Sequence, residues 1–103
     1  MSQRISIHLA PAAFRDLARL EDFLIEQDDP LNGRLLDFIL DACAVLERQP
    51  GIGRPVSGGL RELIVSRGRG GYLARYKFQR TPGVVTVLRV RHQRESGYTA
   101  EEV

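Results

Sequence analysis

The sequence contains few of the residues that build most metal, disulfide and nucleophilic sites. It has one cysteine, Cys43, and two histidines, His8 and His92. A single cysteine excludes a disulfide within the chain and favours a reducing compartment, and a zinc site of histidine and cysteine ligands is not expected. Cys43 has apolar neighbours one helical turn away, which predicts a small buried residue rather than a nucleophile. His8 falls on the outward side of a predicted strand, where a plain surface role is expected.

Long apolar runs and phosphate-binding glycine loops are also missing. Because such a run is missing, neither a signal peptide nor a membrane span is expected, and we predict a cytoplasmic protein with no membrane partner. Gly68-Arg69-Gly70-Gly71 is interpreted as a hairpin turn, because it lacks the pattern of a nucleotide-binding loop. Neither a cofactor nor a metal is predicted. The 103 residues, 43% of them apolar, fit a single domain over residues 1–103.

The charge is segregated along the chain. Residues 1–50 hold five arginines and nine acidic residues, whereas residues 51–103 hold ten basic and four acidic residues. All the basic residues except Lys77 are arginine, which suits bidentate contact with phosphate or carboxylate. Genomic base composition explains an excess of arginine equally well, but it does not explain the segregation. The basic half indicates an acidic partner, either nucleic acid or an acidic protein segment.

Hydrophobic periodicity predicts an α+β fold with an N-terminal strand, a helical hairpin and a three-stranded antiparallel meander. A strand over residues 4–9 precedes a helix from Pro11 to about Gln27, whose apolar side holds Phe14, Leu17 and Leu24 and whose polar side holds Asp16. Asp29 is predicted to cap a second helix that starts at Pro30 and ends near residue 49. Residues 50–59 are turn-rich and predicted to form no regular element. The meander strands are predicted at 60–66, 72–79 and 84–92, and the polar tail 93–103 is expected to fray.

Strand parity divides the meander into two faces. Tyr72, Ala74, Tyr76 and Phe78 share one face of the second meander strand, on which the helices are expected to pack. The opposite face is expected to be half-solvated and basic. Its predicted cations are Arg75, Lys77, Arg89, Arg91 and Arg61.

Three polar residues just beyond the last strand have the chemistry for metal-free RNA cleavage. His92 can act as an acid or base near neutral pH, Arg94 can stabilise phosphorane charge, and Tyr98 can carry a proton or stack on a base. A structural role for a histidine and an arginine at a strand end, with the tyrosine packed on the sheet edge, is the alternative. Spacing alone favours the structural role.

Four segments, in order, match the pattern of a known family. They are Ala13 with Asp16-Leu17 ("A-x-x-DL"), Gly53-Arg54-Pro55 before Leu60-Arg61-Glu62-Leu63-Ile64-Val65 ("GRP … LRELVV"), Tyr72-Leu73-Ala74-Arg75-Tyr76 ("Y-x-x-x-Y"), and Val87-Leu88-Arg89-Val90-Arg91-His92-Gln93-Arg94 ("VLRVxHxR"). With the element order, these segments resemble the ParE/RelE toxin superfamily of type II toxin–antitoxin systems over about residues 5–98.

The resemblance implies the RelE/ParE-like fold and a growth-inhibiting toxin. Its partner would be a cognate antitoxin whose acidic, amphipathic C-terminal segment covers the basic sheet face. ParE-type members are known as DNA gyrase inhibitors linked to plasmid stabilization, and RelE-type members cleave messenger RNA on the ribosome. The RelE pattern has a catalytic arginine where this chain has Leu73. Together with the GRP and LREL segments, Leu73 favours a ParE-like gyrase inhibitor that is not an enzyme. The binding residues implied are Arg61, Arg75, Lys77, Arg89, Arg91 and Arg94.

Two alternatives stay open. A RelE-like ribosome-dependent endoribonuclease would use His92, Arg94 and Tyr98, since Arg94 and Tyr98 match the C-terminal arginine and tyrosine of the RelE pattern. Arg61 or Arg75 would then contact the phosphate. A homologue that binds its antitoxin without being toxic is the other alternative.

Overall fold

The computed structural model of the protein describes residues 4–68 and 70–99. The chain forms strand β1 and helices α1 and α2, then a four-stranded antiparallel run, β2 to β5. Two short 3-10 turns, Ala44–Glu47 and Ser57–Gly59, follow α2 and β2. The bounds are Ser6–Leu9 for β1, Pro11–Glu26 for α1, Leu35–Cys43 for α2, Arg54–Val56 for β2, Leu60–Arg67 for β3, Gly70–Gln79 for β4 and Val84–His92 for β5.

One five-stranded mixed sheet contains all the strands, in the order β1-β5-β4-β3-β2. The predicted antiparallel meander is confirmed as β3, β4 and β5, and β1 joins it by pairing in parallel with β5. The expectation that residues 50–59 form no regular element is wrong, because β2 pairs antiparallel with β3 in this segment. Pro55 is tolerated there because β2 is an edge strand, on which one row of backbone donors needs no partner.

The core lies between one face of the sheet and the two helices. Its sheet side carries Tyr72, Ala74 and Tyr76, as parity predicted. The helices and the turns after them contribute Ala13, Leu17, Leu20, Leu24, Leu31, Leu35, Ile39, Cys43 and Leu46. Cys43 is fully buried, as expected, and burial raises the pKa of its thiol to about 11. None of the helices in the described ranges is long and apolar enough to span a membrane.

The helices depart from the predictions in two places. Phe14 is 51% exposed rather than part of the apolar side of α1, and Asp16, assigned to the polar side, is only 1% exposed. The second helix begins at Leu35, not at Pro30. Asp29 does accept a hydrogen bond from the backbone N–H of Leu31 (2.8 Å), but this bond closes a turn, and the same carboxylate pairs with Arg67 of β3.

A β-bulge in β5 determines which of its side chains face the core. Arg75 pairs with Arg89, but the next residue of β4, Tyr76, pairs with Val87, so Leu88 is the extra residue. Without the bulge, Val87 would share a face with Arg89, because side chains alternate along a strand. The irregularity lets Val87 enter the core while Arg89 points to the opposite side of the sheet.

Candidate functional site

A row of charged side chains crosses the sheet face that points away from the helices, which we call the outer face. Cross-strand pairing aligns Arg54 of β2, Glu62 of β3, Arg75 of β4 and Arg89 of β5. Arg75 and Arg89 are directly opposite each other, an arrangement of like charges that destabilises a sheet unless other groups compensate. Acidic side chains at both ends of this pair, and one aromatic ring above it, provide that compensation.

Glu62 is the acidic group on one side. Its side chain is only 2% exposed and accepts hydrogen bonds from Arg54 (2.6 Å), Arg75 (3.4 Å) and the hydroxyl of Tyr98 (2.6 Å). Burial alone would raise the pKa of Glu62, but the hydrogen bonds from Tyr98 and Arg54 and the positive charges of Arg54 and Arg75 outweigh it. The pKa therefore lies below its usual value, and the side chain is a carboxylate at neutral pH.

Asp16 of α1 is the acidic group on the other side. Its carboxylate accepts two hydrogen bonds from the guanidinium of Arg89, at 2.7 and 3.0 Å. It also accepts one from the backbone N–H of Val90, at 2.9 Å. β1 pairs with β5 only as far as Val87, so Asp16 satisfies a backbone donor of β5 beyond the end of β1. The helix is thereby tied to the open edge of the last strand.

Tyr98 lies across the outer face as part of the segment that follows β5. The guanidinium carbons of Arg75, Arg89 and Arg91 lie 4.7, 5.4 and 5.4 Å from the centre of its ring, within the range of cation–π interactions. Burial and the hydrogen bond to Glu62 raise the pKa of Tyr98 well above its usual range. Tyr98 and Thr99 of the predicted tail thus contact the sheet, and residues 100–103 of that tail lie outside the described residues.

The predicted basic face is therefore smaller and more internally paired than parity alone indicated. Lys77 is exposed, whereas Arg75, Arg89 and Arg91 are partly buried beneath the C-terminal segment. Arg61 is not on this face at all. It pairs across the sheet with Tyr76, whose ring is in the core, and it donates a hydrogen bond to the backbone carbonyl of Gly53 (2.8 Å). The alternation of side chains along β3 explains this position, because Arg61 points to the same side of the sheet as Leu63 and Val65.

His92 and Arg94 lie at a cleft on the helix side of the sheet. The cleft has a volume of about 480 Å³ and is lined by Leu20, Phe23, Leu24 and Tyr72 as well as by charged groups from α1, β3 and the C-terminal segment. The His92 ring packs edge-on against Tyr72, and its Nδ1 accepts a hydrogen bond from the backbone N–H of Arg94 (3.1 Å). Burial and the nearby charge of Arg94 keep the pKa of His92 below its usual value despite Glu95, so the ring is neutral at pH 7.

Of the three residues considered for RNA cleavage, His92 and Arg94 share the cleft, whereas Tyr98 lies on the outer face. His92 is paired across the sheet with Tyr72, a core residue, so its ring is on the helix side. Tyr98 contacts Arg75 and Arg91 on the outer face. Tyr98 is therefore not among the residues that line the cleft at which His92 lies.

Each residue of the Gly53-Arg54-Pro55 segment has a structural role in holding β2 against the rest of the sheet. A side chain on Gly53 would collide with the Tyr76 ring, since a Cβ there would lie 2.6 Å from the hydroxyl oxygen. That hydroxyl accepts a hydrogen bond from the Gly53 N–H (2.9 Å) and donates one to the carbonyl of Pro50 (2.7 Å). Arg54 pairs with Glu62, and Pro55 occupies the edge strand. The segment fastens β2 to the core rather than forming a reactive site.

The acidic residues that organise the site were missed from the sequence. Glu62, Asp16 and Glu95 each hold an arginine, and only Glu62 carried a signal, as a charged residue on the outer side of a predicted strand. Asp16 and Glu95 find their partners 73 and 76 residues away in the chain. No cluster of three or more potential metal-ligating side chains occurs among residues 4–68 and 70–99.

Comparisons with known proteins agree with the fold and with the segment pattern. Residues 7–97 match the family described as ParE toxin of type II toxin–antitoxin system, parDE. The Caulobacter vibrioides protein named Toxin RelE3 is 36% identical over 90 residues, which cover 87% of this chain and 96% of that protein. A solved structure, the chromosomal ParDE TA system from P. aeruginosa, superposes with a TM-score of 0.68 at 22% identity, covering 86% of this chain and 96% of the other. The chain therefore belongs to the ParE/RelE family of type II toxins, which implies a cognate antitoxin as its partner.

Proposed function

We propose that this toxin is a ParE-like binding protein that inhibits DNA gyrase and is neutralised by a cognate antitoxin covering its basic sheet face. In this proposal the chain has no catalytic residues of its own. It acts by occupying a surface of its target, and Arg75, Lys77, Arg91 and Arg94 supply the cationic contacts.

The observation that carries the proposal is the separation of His92 from Tyr98. His92 lies on the helix side of the sheet, while the hydroxyl of Tyr98 donates to Glu62 on the outer face. The position where a RelE-type toxin carries an arginine is Leu73, which is 5% exposed and offers no charge to a phosphate. A surface with paired arginines and no assembled acid–base pair is suited to binding rather than to bond cleavage.

A supercoiling assay with purified gyrase and the purified chain tests this function directly. We expect inhibition that increases with toxin concentration and weakens when Arg94, an exposed residue at the cleft, is changed to alanine. Arg48→Ala is the matched control, because Arg48 is also an exposed arginine but follows the 3-10 turn Ala44–Glu47 and neither lines the cleft nor belongs to a strand of the outer face. Full supercoiling at a large molar excess of folded toxin, verified by circular dichroism, would reject gyrase as the target.

A RelE-like endoribonuclease is the second candidate, and the similarity to the protein named Toxin RelE3 favours it. In that case Arg94 and His92 would act at the cleft, without Tyr98. Primer extension on messenger RNA from cells expressing the toxin would show discrete cuts. Those cuts must disappear with His92→Ala and Arg94→Ala, and cuts that persist in both variants would exclude this assignment of residues.

A further inference from the structure

Asn32 and Gly33 form an exposed turn in the connection between α1 and α2. Asn32 is the only asparagine in the sequence, and both residues are exposed. The Asn32 N–H donates to the carbonyl of Asp29 at 2.9 Å, and the Arg34 N–H donates to the carbonyl of Leu31 at the same distance. Gly33 has a φ of +82°, and no atom lies within 4 Å of the position that a Cβ would occupy. Solvent therefore reaches this pair of residues.

The side chain of Glu21 on α1 holds this turn in place. One carboxylate oxygen accepts a hydrogen bond from the backbone N–H of Gly33, and the other accepts one from that of Leu35 (3.3 Å). The first N–H groups of a helix have no partner inside the helix, and Arg34, the residue before α2, provides no side-chain cap. Glu21 supplies that cap from the neighbouring helix. Because Leu35 is fully buried, the same carboxylate fixes where α2 enters the core.

The Gly33 nitrogen is also the nucleophile that can attack the side chain of Asn32. Asparagine is a thermolabile residue, and a following glycine has no Cβ to obstruct the attack. When the nitrogen loses its proton and attacks the side-chain amide carbon, a new N–C bond forms. The bond from that carbon to the side-chain nitrogen breaks, and this nitrogen takes up the proton and leaves as ammonia. The product is a cyclic succinimide, which water opens to aspartate or to isoaspartate.

We propose that Asn32-Gly33 is a self-modification site, at which succinimide and isoaspartate formation releases α2 from Glu21, and that Glu21 restrains the reaction in the folded chain. The nitrogen that must lose its proton is the one that donates to Glu21. The hydrogen bond favours the protonated nitrogen, and the carboxylate disfavours the negative charge that deprotonation creates. The same contact therefore caps α2 and slows the reaction that would remove the cap.

The products differ in how they affect the start of α2. The succinimide nitrogen carries no hydrogen, so Gly33 can no longer donate to Glu21. In isoaspartate the N–H returns, but the backbone gains a methylene between Leu31 and Leu35, which are both buried and cannot both keep their places. Aspartate keeps the ordinary backbone and restores the bond. Loosening of α2 is thus specific to the succinimide and to isoaspartate, and it does not depend on the target of the toxin.

The test incubates the full chain at pH 8 in water enriched in heavy oxygen and follows Asn32 by mass spectrometry of its peptides. Opening of the succinimide incorporates one solvent oxygen, which marks the products at this residue. We expect Glu21→Ala to convert about tenfold faster than the parent, the lower end of the effect of a hydrogen bond to a charged group. Glu26→Ala is the matched control, because Glu26 is an exposed acidic residue of α1 that makes no hydrogen bond to the turn among the described residues.

Glu21→Gln keeps the test decisive if Glu21→Ala does not fold. Glutamine retains an oxygen that can accept from Gly33 but carries no charge, so its conversion rate should lie above that of the parent and below that of Glu21→Ala. Circular dichroism verifies the fold of each variant. The parent chain unfolded in urea gives the unrestrained rate and should convert faster than the folded chain, and Asn32→Ala should take up no label at residue 32.

The stability of the separated products provides a second readout. The isoaspartate form, isolated by ion exchange, should unfold at a lower urea concentration than the parent. Asn32→Asp adds the same charge without the methylene and should unfold close to the parent.

The proposal is overturned if folded Glu21→Gln converts no faster than the parent, or if folded Glu21→Ala converts no faster than Glu26→Ala. It is also overturned if Asn32 stays intact in the folded chain while the unfolded chain converts completely. An isoaspartate form with the urea midpoint of the parent would show that α2 is not released. The supercoiling assay reads a separate property, so its failure would reject gyrase as the target and leave this site standing.

Discussion

Replacing Asp16 with alanine should destabilise the domain far more than an ordinary surface substitution on the same helix. Asp16 is 1% exposed, and its carboxylate accepts two hydrogen bonds from Arg89 and one from the backbone N–H of Val90. Alanine would leave a guanidinium group that is only 13% exposed without its carboxylate, and a backbone donor without its acceptor. Both losses act at the place where α1 holds the open edge of β5.

The magnitude follows from these contacts. Removing one partner of a buried ion pair costs about 3–5 kcal/mol. Arg89 retains hydrogen bonds to the backbone carbonyl (2.7 Å) and the hydroxyl (3.0 Å) of Thr99, which places the loss at the lower end of that range. An unsatisfied backbone N–H costs about 1–3 kcal/mol, and this cost overlaps partly with the first. We therefore expect Asp16→Ala to lower the free energy of unfolding by about 4 kcal/mol, a large share of the roughly 5–15 kcal/mol available to a domain.

Urea denaturation followed by circular dichroism measures this loss, and Arg19→Ala is the matched control. Arg19 is also on α1 and pairs with Glu95, but the side chains of that pair are 37% and 26% exposed. Exposed pairs contribute about 1 kcal/mol or less. The double variant Asp16→Ala/Arg89→Met should recover part of the stability, because it removes the stranded charge together with its partner. If Asp16→Ala costs no more than Arg19→Ala, the view that this pair fastens α1 to β5 is wrong.

Three further predictions concern buried polar groups. Glu62→Gln should cost about 2 kcal/mol at pH 7. Folding lowers the pKa of Glu62, so the ionised carboxylate stabilises the folded state at pH values above its unfolded pKa near 4.5. This stabilisation is lost as the pH falls through the lower folded pKa, so the urea midpoints of the variant and the parent should converge in acid. A difference between the two midpoints that stays constant with pH would contradict this. Tyr76→Phe should cost about 1–3 kcal/mol in the same assay, since it strands the Gly53 N–H, and an unchanged midpoint would refute that bond. Cys43 should react with a thiol reagent at pH 8 only in denaturant, because burial raises its pKa to about 11, and rapid labelling of the native chain would disprove its burial.

Local periodicity was sufficient to predict the parts of the fold that depend on neighbours in sequence. The alternation in β4 placed Tyr72 and Tyr76 in the core because side chains on a strand have a period of two. The helical spacing of Leu35, Phe38, Ala42 and Leu46 located the second helix for the same kind of reason. Its first residue was missed, since a side-chain cap such as Asp29 closes an isolated turn as readily as it starts a helix.

The sequence could not reveal features that depend on contacts between distant residues. β2 is hidden in a segment rich in proline and glycine, and it exists because β3 offers a free edge to pair with. The bulge at Leu88 shifts the parity of β5, and nothing in the local pattern marks it. Tyr98 was singled out from the sequence, but its place on the outer face depends on Glu62, which lies 36 residues earlier. Arg61 was predicted to lie on the basic face, although the alternation along β3 already places it on the same side as Leu63 and Val65. The sequence was sufficient here, and the prediction did not use it fully.

The parallel pairing of β1 with β5 affects how the chain folds during synthesis. Among the described residues, β1 pairs with β5 alone, with Ser6 aligned to Val84, so this contact spans most of the chain. Such non-local contacts slow folding, because the entropy of closing a long loop is lost before any contact compensates for it. At about 5–20 residues per second on the ribosome, both helices and the β2–β3 pair emerge seconds before β5, the strand that completes the sheet. While the chain is being synthesised, the outer face is incomplete, because β5 supplies Arg89 and Arg91. The protein can therefore bind its target or its antitoxin through this face only after synthesis of β5.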